Sequence, residues 1–116
     1  GKGFSADRER AVNFMKGYVK ASRYYYDAVL VQKDGRAAPG KNYDEVVQIT
    51  AKHTGAKPEI IKIGFPYQDR NGRLLVPDIE KQMKWWVEHG FIKSAIPLRE
   101  IVDTSFIEAA IEGVKE

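Results

Sequence analysis

Six positions near the start of the chain constrain its fold more than any other feature. Ala11, Met15, Tyr18, Ser22, Tyr25 and Val29 step by four, three, four, three and four, the spacing of one face of an α-helix. Val12, Val19 and Tyr26 widen that stripe, while Lys16, Lys20, Arg23 and Asp27 fall mostly on the other side. Ser5 is placed to cap this helix, with Asp7 and Glu9 in its first turn, where the helix dipole favours anions. The pattern predicts a helix to about Val31 that stops before Asp34-Gly35. A helix this long, with an apolar face this wide, belongs to a larger packed body.

The remaining elements are shorter. Gly35 to Lys41, with Pro39 and Gly40, reads as a linker-like loop. Asn42 and Glu45 make a capping-box pattern before a second helix carrying Val46, Val47, Thr50 and Ala51, which Gly55 ends. Pro58 suits the first turn of a short helix from Glu59 to Ile63. Asp69-Arg70-Asn71-Gly72 is a turn, and Leu74-Leu75-Val76 reads as a brief extended segment. Pro77 and Asp78 open another helix, with Ile79, Met83, Trp86 and Val87 on one face and Gly90 as its stop. Pro97 starts a short helix through Val102, and Asp103 or Thr104 caps a last one containing Phe106, Ile107, Ala110, Ile111 and Val114. The fold class is mostly α with one short strand, a single segment spanning residues 1–116.

Composition narrows the function classes. The chain has no cysteine, which excludes disulfides, thiol catalysis and cysteine-held metals. A net charge of +3, spread along the sequence, supports solubility rather than nucleic-acid binding, which needs a clustered basic face. No apolar run approaches the ~20 residues of a membrane span, and no secretory signal is present. The aromatics, six Tyr, five Phe and two Trp, need something to bury against.

Few residues suggest chemistry. His53 and His89, the only histidines, stand 36 residues apart near helix C-termini, where an imidazolium favours the dipole, and their spacing does not suit zinc. Asp69, Asn71 and Glu80 have part of a calcium-loop pattern, but the glycine is misplaced and Leu74, Leu75 and Val76 fill the centre, so a plain turn is the reading. Tyr24-Tyr25-Tyr26 cannot form one flat platform on a helix, where neighbours point about 100° apart. Those rings and Trp85-Trp86 read as packing surfaces. No Gly-rich phosphate loop is present. Ser105 has no base near it, and Glu108 and Glu112 read as a solvated face.

Taken in order, Arg23-Tyr24-Tyr25-Tyr26-Asp27, Ala51-Lys52-His53-Thr54-Gly55, Asp69-Arg70-Asn71-Gly72-Arg73, Trp86-Val87-Glu88-His89-Gly90-Phe91-Ile92 and Val102-Asp103-Thr104-Ser105-Phe106 resemble a known pattern. It is that of the C-terminal region of solute-binding proteins of nitrate/sulfonate/taurine-type ABC importers, a group with thiamine-precursor-binding relatives. The resemblance covers nearly the whole chain. It implies the helical C-terminal segment of a two-lobed, type II-like α/β periplasmic-binding-protein fold, with helices that return from the second lobe and brace the first. It further implies an extracytoplasmic location, a small-molecule solute, an ABC permease as partner, no cofactor and no catalytic residue. Most ligand contacts in that family come from the earlier part of the protein. No motif here carries a ligand residue across. Tyr67, Arg70 and Trp85 are the ligand-binding candidates, because they flank the irregular segment that can approach a cleft.

Helices meant to cover a missing N-terminal region leave apolar faces exposed, and such faces self-associate. The expectation is therefore a homo-oligomer or a swapped helix arrangement. The alternative function is a free-standing helical protein-interaction module. An enzyme fits least, because no acid/base or nucleophile constellation is visible.

Overall fold

A carboxylate sets the start of the long helix. In a computed structural model, which describes residues 2–115, α2 (Arg8–Val29) is capped by Asp7, whose side chain accepts from the Arg10 amide at 3.0 Å. Ser5, the expected cap, instead lies within the preceding helix α1 (Lys2–Ala6). Asp7 is a strong cap in its own right, because an ionised oxygen meets an otherwise unpaired amide. The other end falls one turn from Asp34-Gly35, with the Leu30 amide on the Tyr26 carbonyl.

The expected loop after α2 begins as a hairpin. β1 (Gln32–Lys33) pairs antiparallel with β2 (Arg36–Ala37), Gln32 opposite Ala37 and Lys33 opposite Arg36. Asp34 and Gly35 join them at φ 52° and 74°, the two left-handed residues that a tight hairpin turn requires. The chain then presses back on α2. The Gly40 amide bonds the Ala28 carbonyl at 2.8 Å, and a Cβ on Gly40 would overlap the Asp27 carbonyl oxygen.

Helix α3 (Tyr43–Thr54) lacks the expected capping box. Asn42 sits at φ 62° with no side-chain cap bond, a backbone region unlike the extended one a capping side chain uses. Glu45 is engaged elsewhere, accepting the Tyr24 hydroxyl at 2.6 Å. Gly55 ends α3 in the left-handed conformation as expected. The single turn α4 (Pro58–Ile61) follows. Leu74 and Leu75 form no strand, and Val76 already belongs to α5 (Val76–Glu88). Pro77 in the first turn, with φ preset for a helix, explains that early start. α6 (Leu98–Ile101) and α7 (Ser105–Glu112) complete the chain.

Helix α7 lies along α2 and runs parallel to it. Arg8 reaches Ser105 at the start of α7, and Arg23 donates to the Val114 carbonyl beyond its end. Parallel neighbours need a long return path, which residues 30–104 supply. Two separate apolar clusters result. One joins Val19 to Ile107, Ala110 and Val114; the other gathers Ala28, Val29, Leu30 and Val46 under Tyr25, Tyr43 and Phe65. Among the described residues the largest fully buried side chains are only Val19, Val47 and Ser22.

The fold is mostly helical and notably open. The Cα radius of gyration is 17.2 Å, against about 13 Å for a compact domain of this length. The accessible surface is 8865 Å², against about 6,400 Å² for a self-contained monomer of this mass. The excess is about 2,400 Å². Among the described residues no helix is long and apolar enough to cross a membrane.

Candidate functional site

The turn Asp69–Gly72 is a clip made of polar groups. Asp69 folds it, accepting from the Asn71 and Arg73 amides at 2.9 and 3.0 Å, while Gly72 closes it at φ 74°. Arg70 within it and Arg73 just after it then reach different helices. Arg70 grips Asp27 on α2 with two bonds of 2.8 and 3.0 Å, and Arg73 grips Glu108 on α7 with bonds of 2.9 and 2.8 Å. Such forked pairs fix geometry as well as charge. The guanidinium of Arg70 holds the Asp27 carboxyl below its ordinary value, and Arg73 does the same to Glu108. Arg23 adds a bond to Asn71 at 2.9 Å, and Gln68 donates to the buried Ser22 hydroxyl at 2.6 Å.

Beside this clip opens a groove of about 620 Å³, within the range of small-molecule sites. Phe4, Met15, Tyr18, Leu74, Phe106 and Ile107 line it, with Glu100 and Asp103 the acidic members. The Phe4 ring stands between Phe14 at 5.6 Å and Phe106 at 6.3 Å, and the Arg8 guanidinium covers the Phe106 ring at 4.8 Å. The Asp103 carboxylate accepts from the Ser105 hydroxyl side and amide, which lowers its proton affinity.

The three sequence candidates are dispersed. Tyr67 is 65% exposed and lines a shallower groove with Tyr18, Leu75 and Ile79. That groove includes neither Arg70 nor Trp85. Arg70 is engaged in the clip. Trp85 stacks on His89 at 4.1 Å and on Phe91 at 5.5 Å, near the end of α5. His89 also contacts the Trp85 carbonyl through Nδ1 at 2.8 Å, which suits an imidazole at a helix C-terminus. His53 lies in the last turn of α3.

The polar chemistry is that of tying elements together. Ser105 Oγ meets Arg8 at 3.1 Å, a group that cannot accept a proton. Among the described residues no group of three acidic or imidazole side chains is placed to hold a metal ion. Sequence reasoning gave Phe4 and the neighbouring Phe14 no role, and placed Phe106 only as a residue of the last helix. The available signal was Phe14 itself, a large apolar residue between Asn13 and Lys16 on the polar side of α2.

The chain matches no family model, no curated protein and no solved structure.

Proposed function

We propose that this chain is the C-terminal part of an extracytoplasmic solute-binding protein that delivers a small solute to an ABC importer. Its helices brace a two-lobed α/β clamp whose upstream portion supplies most of the solute contacts. Closure of the clamp about its hinge would trap a nitrate-, sulfonate- or taurine-like anion, or a thiamine-precursor-like molecule, for transfer to the permease. The observation that carries this reading is the excess of about 2,400 Å² of surface, with large side chains such as Phe14, Leu74, Leu75, Trp85 and Ile101 between 48% and 66% exposed. Large apolar side chains left this exposed mark surfaces that another segment or partner covers. The resemblance carried by the ordered set of short motifs, from Arg23-Tyr24-Tyr25-Tyr26-Asp27 to Val102-Asp103-Thr104-Ser105-Phe106, supports a solute-binding protein's upstream region as the cover.

The test is to express the chain joined to the polypeptide encoded immediately upstream. Amide exchange should slow in α1, α2 and α5 relative to the chain alone. Calorimetry with taurine, nitrate and an aminopyrimidine should find a solute. An upstream region without α/β character, or joined protein with unchanged exchange, would favour the free-standing interaction module instead.

A further inference from the structure

We propose that the chain on its own forms a two-fold dimer through the α1–α2–α7 face, with Phe14 of each copy seated in the other copy's groove. This inference does not depend on the transport reading, because it concerns the surface this chain presents by itself. A groove and a knob beside each other on one face are what an isologous contact requires, since each copy then offers both halves. The knob is Phe14, 66% exposed and held edge-on to Phe4. The hole is the adjoining 620 Å³ groove, whose wall includes the same Phe4 ring.

Area and charge agree with this mating. A standard interface covers about 800 Å² of each partner, roughly a third of the surface excess. Arg10 stands one helical turn before Phe14, with its side chain 85% exposed and only a solvent-washed contact of 3.3 Å to Asp7. The groove carries Glu100, whose side chain makes no hydrogen bond or ion pair among the described residues. Seating Phe14 in the opposite groove brings Arg10 toward that carboxylate. Burial of two phenylalanines and their neighbours drives the association, and the charges set its register.

Sedimentation equilibrium over a concentration series tests it, with circular dichroism to verify folding. The expected particle has twice the 13.2 kDa chain mass. Phe14→Glu should give a monomer with unchanged helicity, because an exposed position tolerates the change. Arg10→Glu should weaken dimerisation about tenfold, and adding Glu100→Arg should restore it. A 13.2 kDa particle at every concentration would overturn the proposal. So would a dimer indifferent to Phe14→Glu, or a charge swap that fails to rescue. Joined to its upstream region, the chain should become monomeric if the transport reading holds. Loss of that effect alone would count against the transport reading and leave the dimer standing.

Discussion

Helices α2 and α5 are both amphipathic, yet they meet different fates. Five residues of α2 are buried, Ala11, Val19, Ser22, Ala28 and Val29, whereas α5 buries Met83 alone. Helix α2 has α7 along one side, and both α3 and the arginine clip toward its C-terminal end. Helix α5 is covered chiefly by its own return loop, where the Ile96 amide meets the Met83 sulfur at 3.1 Å. An apolar stripe therefore says that a helix seeks cover, and only a neighbour decides whether it finds it within the same chain. The α2–α7 seam is internally satisfied. The α5 arm is ordered by local helix formation, with its outward rings still waiting.

This contrast can be broken by substitution. The largest effect should come from Val19→Asp, which places a carboxylate in the fully buried seam and costs about 4 kcal/mol or more. Cooperative unfolding in urea should disappear, while Ile79→Asp on α5 should leave the seam transition in place. Gly40→Ala forces a methyl group against the Asp27 carbonyl and should cost about 3 kcal/mol in chemical denaturation, because backbone rather than a side-chain tip must move. Met83→Ala should cost about 2 kcal/mol locally. Its signature is faster amide exchange confined to α5; an equal loss in α2 would show that the two regions unfold as one.

The smallest effect concerns pH. Asp27 is held below its ordinary value of 3.8 by the Arg70 hydrogen bonds. The folded state thus binds that proton less readily than the unfolded state does. The clip's contribution is complete above 3.8 and is lost as pH falls from there through the depressed value. Asp27→Asn should flatten that acid slope and lower neutral-pH stability by less than about 1 kcal/mol, since the pair is half exposed. Thermal melts between neutral and strongly acidic pH measure both.

Much of the helical layout was legible because several boundaries had a chemical cause nearby, such as Pro58, Pro77 and Gly55. Val19 and Val29 followed from the three-four spacing, and Gly55, Gly72 and Gly90 all adopt positive φ where the sequence demanded a stop or turn. The hairpin was missed because Asp34-Gly35 lacks alternating apolar flanks; Gln32, Lys33 and Arg36 gave no strand signal. The capping box failed for a tertiary reason, Tyr24 drawing Glu45 away. The groove was hidden because Phe4, Leu74 and Phe106 come from distant parts of the chain, and no local pattern links them. Arg70 was noticed for its place beside an irregular segment, but its partner Asp27 lies 43 residues earlier.

The parallel placement of α2 and α7 has a cost during synthesis. Arg8 and its partner Ser105 are 97 positions apart, so at ribosomal speeds the mate of the first long helix emerges about 5 to 20 s after it. Throughout that wait the stripe around Val19 is bare, and each second of it is an opening for contact with a wrong apolar surface.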